Sequence, residues 1–262
     1  GYGGTSPTFA GSRSQQSYAL YAGAETDISD TFSIGAMGRF ERYNTFGSAF
    51  VAKGNFRWEV ADMLAIRGTA GTGFHAPSPG QNNTAILTTT FVGGDQVQVG
   101  TYPVTSNIAQ YYGAQSLRPE RSTNFGLGFV LTPSDAISLT VDAYSIKVTN
   151  RIGISQNFFV TAADLAAEPA LQAVGLGGAV NYFTNGFDTR TRGVDVVGSW
   201  RGDVAGGRTN ITLAYNYNKS TVPRFDPNVI GAAQITNIGN LAPNHRANLT
   251  ATWQKDGFAL TL

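Results

Sequence analysis

The chain has 262 residues, a formal net charge of +1, no cysteine and 13% charged residues, well below the ~25% of soluble domains. The lack of cysteine excludes a disulfide scaffold and a thiolate metal site, and a near-neutral charge without a Lys/Arg run argues against nucleic acid. No run of about 18 apolar residues is present, so membrane-crossing helices are excluded, whereas a β-barrel hides its hydrophobicity in alternation.

Five strand pairs follow one another. The first strand spans about Ser17 to Thr26, with Tyr18, Leu20, Ala22 and Ala24 on one face. The turn Asp27-Ile28-Ser29-Asp30 leads to a second strand presenting Phe32, Ile34, Ala36, Gly38 and Phe40. In the third, Phe50, Ala52, Gly54, Phe56, Trp58 and Val60 alternate with Val51, Lys53, Asn55, Arg57 and Glu59. A side-chain period of two sends these sets to opposite faces, one suited to lipid and one to a wet lumen. After Ala61-Asp62-Met63, the fourth strand carries Leu64, Ile66, Gly68 and Ala70 against Arg67 and Thr69.

A long connection near 74–121 precedes the fifth strand, with Phe125, Leu127, Phe129 and Leu131 on one face. Thr132-Pro133-Ser134-Asp135 reads as a turn. The sixth strand starts with Ile137, Leu139, Val141 and Ala143, but its upper residues Tyr144, Ile146 and Val148 have the opposite phase, which predicts a bulge. The connection near 151–188 is expected to hold a short helix capped at Thr161 and limited by Pro169. Strands seven (Val194, Val196, Trp200) and eight (Ile211, Leu213, Tyr215, Tyr217) follow, then a loop near 219–244. Strand nine carries Ala247, Leu249, Ala251 and Trp253, Asp256-Gly257 is a hairpin signal, and strand ten begins at Phe258. That last pattern is five residues where about 9–11 are expected, which predicts a piece of a longer chain.

Short turns on one rim, long loops on the other, and Trp58, Trp200 and Trp253 each just before a short turn predict an all-β transmembrane antiparallel barrel of about ten strands. A soluble sandwich also alternates, but its strands are usually about five or six residues long.

Four segments carry a resemblance to TonB-dependent outer-membrane receptors. Arg67 to Ser78 is similar to the family stretch ending glycine–aromatic–Arg–Ala–Pro–Ser, with His75 where arginine is usual. Leu117-Arg118-Pro119-Glu120-Arg121 resembles the Leu-Lys-Pro-Glu-Lys segment that opens the next strand, and Val141 to Ile152 its partner. Tyr182 to Asp195 resembles the family's Asn…Thr-Arg-Gly-Val-Asp/Glu strand start. Ala242-Pro243-Asn244-His245-Arg246 is a weaker fifth. The resemblance implies a 22-stranded barrel of which residues 1–262 are part, without the N-terminal plug, the TonB-contact motif or the closing aromatic strand.

By this resemblance, Gly73, Phe74, Ala76, Pro77, Pro119, Glu120, Arg192 and Gly193 are architectural. Glu120, Arg121, Arg190, Arg192 and Asp195 are expected to pair inside the lumen, where charges need partners or water. Ligand contact is expected from loop aromatics: Tyr102, Tyr111 and Tyr112 in one loop, and Phe158, Phe159, Tyr182, Phe183 and Phe187 in the next. Such rings stack on ligands at low entropic cost, and they equally pack loops together or form an upper girdle.

Catalysis has little support: His75 and His245 lie far apart, and no Gly-x-Ser-x-Gly or His-Glu-x-x-His motif occurs. No cofactor is expected. The resemblance implies a bacterial outer-membrane location, contact with lipid and lipopolysaccharide, and TonB engaged through the missing N-terminal region. It implies active import of a scarce nutrient, with ferric siderophores foremost and cobalamin, haem, other chelates and oligosaccharides open. A passive porin-like channel, or an outer-membrane barrel enzyme, is the alternative.

Overall fold

A computed structural model describes residues 9–240 and 242–262. The chain opens with four long strands, β1 (Ser17–Ser29), β2 (Phe32–Tyr43), β3 (Gly47–Ala61) and β4 (Leu64–His75). A first insertion holds α1 (Pro79–Asn83), β5 (Ile86–Val92), β6 (Asp95–Thr101) and α2 (Asn107–Tyr111). Then come β7 (Glu120–Ser134) and β8 (Ile137–Ile154). A second insertion holds β9 (Phe158–Phe159), α3 (Ala162–Ala167), a 3-10 turn at Pro169–Ala173 and β10 (Ala179–Asn181). The rest is β11 (Phe183–Val204), β12 (Gly207–Phe225), α4 (Ala232–Gly239), β13 (His245–Lys255) and β14 (Phe258–Thr261).

The long strands form one antiparallel sheet of ten, in the order β1-β2-β3-β4-β7-β8-β11-β12-β13-β14. Neighbours in space are neighbours in sequence apart from the two insertions. The expected transmembrane barrel strands are therefore present, and the sheet ends on β1 and β14. The turns at one rim are tight. Ala205-Gly206 and Asp256-Gly257 both have positive φ at two successive residues, the geometry that matches strand twist. The first turn is Asp30-Thr31, later than the expected Asp27–Asp30, because Asp27 still pairs with Ser33.

Two adjacent rows across eight strands show how the sequence sorts its faces. Phe32, Trp58, Ile66, Phe129, Val141, Val196, Tyr215 and Ala247 lie on one row, and Ser33, Arg57, Arg67, Gly128, Asp142, Asp195, Asn216 and Arg246 on the next. The first face is apolar and uncovered: Leu20, Phe50 and Leu127 are 75%, 62% and 59% exposed. An extended apolar face of that kind belongs against lipid rather than water. On the polar face Arg67 reaches over Gly128 to Asp142 with a bidentate bond of 2.6 and 3.0 Å. A Cβ on Gly128 would collide with the Asp142 carboxylate, so the bridge requires glycine between its partners.

The bulge expected in the sixth strand is absent where Tyr144 begins the phase change. β8 pairs in unbroken register with β7 from Leu139 to Thr149, and with β11 from Ile137 to Val148. Tyr144 instead faces the polar side, where its hydroxyl accepts from Asn218 Nδ2 at 3.1 Å. A polar tip on an apolar ring satisfies that face without breaking the strand. The irregularity comes higher, at Asn150 (φ 54).

The tryptophans measure strand tilt. Trp58 on β3 shares a row with Val196 on β11, yet Trp200 lies four residues nearer the short turns, four strands away. Trp253 on β13 lies six residues below Ala247 of that row, six strands away. At about 3.4 Å per residue and 4.8 Å per strand, one level belt requires a tilt of about 35°. Membrane barrels tilt by ~35–45°.

Candidate ligand-binding site

The long connections are not irregular. β5 and β6 form a hairpin whose turn, Gly93-Gly94, has φ of 62° and 97°. From the second insertion, β10 joins β6 in parallel and β9 joins β10 antiparallel, giving a separate four-stranded sheet. The insertions thus build one cap above the long-loop rim.

This cap holds the densest burial of the described residues. Tyr102, Val104, Ile108, Ala109, Leu171, Val174, Val180 and Tyr182 are buried together. The contrast with the exposed apolar face of the large sheet follows from solvent: chain standing in water hides its apolar groups, chain standing in lipid does not. Thr161 caps α3 as expected, its hydroxyl accepting from the Asp164 amide and the Asp164 carboxylate accepting from the Thr161 amide.

The eight loop aromatics separate into inner and outer rings. Tyr112 stacks on Phe158 at 5.1 Å, and Phe158 on Tyr182 at 5.7 Å. The Tyr182 hydroxyl donates to the Tyr112 carbonyl at 2.6 Å, and Tyr102 donates to Gln98 Oε1 at 2.9 Å. Burial pushes Tyr102, Tyr112 and Tyr182 up to about 12. Tyr102 and Tyr182 are enclosed and hold the loops together. Phe183 and Phe187 stand on β11 rather than in a loop, Phe183 against the cap core and buried Phe187 beneath Arg151 at 5.9 Å.

Two of the eight remain at the surface. Tyr111 is 39% exposed and Phe159 65%. Tyr111 and Tyr112 donate to the two oxygens of Asp164 at 2.9 and 3.3 Å. The Thr161 hydroxyl and amide, with both tyrosines, hold Asp164 below the usual carboxylate range, and hydrogen bonding to Asp164 raises Tyr111. Phe91 on the hairpin and Leu176 are exposed as well and were not among the sequence candidates. The signal for Phe91 was its place two residues before Gly-Gly, a hairpin mark.

Between the cap and the third loop lies a cleft of about 210 Å³, lined by Gln115, Ser116, Arg118, Asn185, Arg224 and Asp226 among others. Asn185 fixes its wall, accepting from the Arg118 amide and donating to the carbonyls of Arg118 and Asn150. Arg224 is committed to Asp188 by two 2.9 Å bonds. The Arg118 side chain can meet an anionic group there.

The motif residues do not line this cleft and pack elsewhere in the structure. Phe74 packs edge-on against Tyr43 and Phe46, Pro77 is buried with its carbonyl accepting from Gln15, and Ala76 beside it is half-buried. A Cβ on Gly73 would meet Ser122 Oγ, and one on Gly193 would meet the Tyr144 ring. Pro119 directs the chain into β7, where Glu120 accepts from the Ile152 amide at 2.7 Å and lies 3.7 Å from His75.

The expected lumenal pairing of Arg121, Arg190 and Arg192 does not occur. Register puts Arg190 beside Lys147 and Arg192 beside Lys219, on the apolar face, and Arg121 beside Thr149 on that same face. Asp195 keeps the polar face and accepts from Asn216. Strand parity decides this, and it cannot be overridden by charge without a register slip.

A family model described as "TonB dependent receptor-like, beta-barrel" matches residues 1–262. No curated protein matches the sequence. Among solved structures, the siderophore receptor PirA of Pseudomonas aeruginosa superposes with a TM-score of 0.63 at 14% identity, over 92% of this chain and 38% of that one. A point variant of the ferric enterobactin receptor PfeA from the same organism gives 0.61 at 14%, over 97% and 33%. The copper transporter OprC gives 0.58 at 13%, over 92% and 33%. The chain spans about a third of the length of these structures.

Proposed function

The chain belongs to the TonB-dependent receptor β-barrel family, and we propose that it supplies part of the barrel wall and extracellular cap of an outer-membrane receptor that imports a scarce nutrient, a ferric siderophore or similar chelate. The polar face then lines the lumen and the apolar face meets outer-membrane lipid, including lipopolysaccharide. Import is active and non-enzymatic, driven by TonB through a region outside this chain. The named neighbours handle a siderophore, ferric enterobactin and copper, which supports a metal chelate as the ligand class.

The observation that carries this reading is the cap. A self-packed unit over the polar face offers exposed Tyr111 and Phe159 and the Arg118 cleft. Planar rings suit aromatic metal-binding groups, and a cation suits the negative charge of their complexes. The test is titration of ferric catecholate and hydroxamate siderophores into the full-length receptor, followed by fluorescence. A Tyr111→Ala/Phe159→Ala double variant is expected to weaken binding about tenfold, since each aromatic contact contributes about 0.5–1.5 kcal/mol. Unchanged affinity would remove these rings from the site. Ligand-independent conductance of the parent protein would favour a passive channel instead.

A further inference from the structure

We propose that Lys147, Arg190, Arg192 and Lys219 form a site on the lipid-facing wall for the phosphate groups of an anionic glycolipid in the outer leaflet. The proposal rests on the outer-membrane reading above and is independent of which nutrient is bound. In the ladder, Arg190 stands opposite Lys147 on β8 and Thr221 on β12, and Arg192 opposite Ser145 and Lys219. Four exposed cations thus occupy two adjacent rows of three neighbouring strands.

Directly opposed like charges destabilise a sheet, so this cluster calls for a counter-anion. The sheet provides none. The ion pairs Arg39–Glu41, Arg57–Glu59 and Arg67–Asp142 lie on the polar face. The next acid up β11, Asp188, lies beyond a register shift and also attracts Lys147, yet both its oxygens are held by Arg224 at 2.9 Å. Hydroxyls of Thr123, Ser145 and Thr221 flank the cations on the same rows.

Height selects the occupant. Arg192 lies eight residues above Trp200 on β11, which at the tilt derived above is about 22 Å along the membrane normal. The apolar band of a membrane barrel is about 25 Å tall. With the tryptophans at the short-turn interface, the four cations fall at the opposite headgroup level, on the long-loop rim. Beneath them the wall is apolar, with Leu127, Ala143 and Val194 on the row below and Phe129, Val141 and Val196 on the next. Acyl chains cover such a wall, and guanidinium forks grip phosphate above it. A free phosphate ion would use only the upper half of this surface.

The test uses the full-length receptor in detergent. The probes are a bisphosphorylated diglucosamine lipid (lipid A) in mixed micelles, the same lipid stripped of phosphate, and inorganic phosphate. Binding is read by calorimetry. The parent is expected to bind the phosphorylated lipid. The variant Lys147→Gln/Arg190→Gln/Arg192→Gln/Lys219→Gln is expected to lose about a hundredfold in affinity, each cation near an anionic surface adding to the attraction. Swapping every Lys for Arg and every Arg for Lys at these positions is expected to retain binding, which separates lost charge from misfolding. The polar-face variant Lys53→Gln/Arg57→Gln is also expected to retain it. Equal binding by the quadruple Gln variant, equal binding of the stripped lipid, competition by inorganic phosphate alone at equal concentration, or equal loss in the polar-face variant would each overturn the proposal. Siderophore titration of the same quadruple variant is expected to match the parent. A parent that takes lipid but no siderophore overturns the siderophore reading and leaves this one standing.

Discussion

Gly193 shows how one missing Cβ sets a polar wall. The Tyr144 ring lies across β11 where a side chain at 193 would stand, and its hydroxyl accepts from Asn218. Gly193→Ala forces the ring off its place, and overpacking of this kind costs about 1–3 kcal/mol. The expected result is a lower urea midpoint for the full-length receptor, with Gly193→Ala/Tyr144→Ala restoring part of the loss. Asp164 gives a second prediction. Its hydrogen bonds hold it below its ordinary 3.8, so its contribution is complete above that value. As pH falls through the lowered value, the carboxylate is protonated and the contribution is lost. Protection of the Thr161 amide against exchange is expected to fall in that acid range, and in Asp164→Asn to stay at a low, pH-independent level. At this scale the sequence was partly legible. The segment around Gly193 and Phe74 was recognisable, but which loop rings turn inward was not. That depends on stacking among Tyr112, Phe158 and Tyr182, from two different connections.

The long strands were readable because period-two alternation persists for ten or more residues, and their short turns followed within a few positions. The cap was not. β9 and β10 are two and three residues long, too short to show a period, and β6, which β10 joins, lies in a different insertion. β5 was signalled by Gly93-Gly94 but its Thr88-Thr89-Thr90 run blurs the alternation. The cap's stability comes instead from burial of distant segments, which predicts that it unfolds as its own unit. Leu171 is fully buried in the cap core. Leu171→Ala is expected to cost about 2–5 kcal/mol, read as faster exchange of the β6 and β10 amides. Amides of β3 and β4 are expected to keep their protection. Equal acceleration in both sets would mean that cap and wall open together.

Whole-molecule geometry follows from two facts the strands share, parity and tilt. Parity assigned Arg190 and Arg192 to the apolar face, against the expectation of lumenal pairing. The sequence pattern did contain that answer, since both are even-numbered with Val194 and Val196 on β11. What misled was the rule that charges avoid lipid, which holds at the bilayer centre and relaxes at its interfaces. Tilt explains why those arginines are interfacial. In register coordinates the apolar residues run obliquely, from Leu20, Ala22 and Ala24 on β1 to Leu213 and Ile211 on β12. A belt that is oblique in the ladder is level only if the strands lean. Polarised infrared spectra of the full-length receptor in oriented bilayers are expected to give a mean strand tilt of about 35–45°. A tilt below about 20° would place Trp58 and Trp253 at different depths, because six residues of offset is about 20 Å along a strand. The height of the cations depends on tilt far less, since Arg192 would still stand about 26 Å above Trp200 at about 20°. The spectrum therefore tests the level tryptophan belt, while the lipid site is tested by binding.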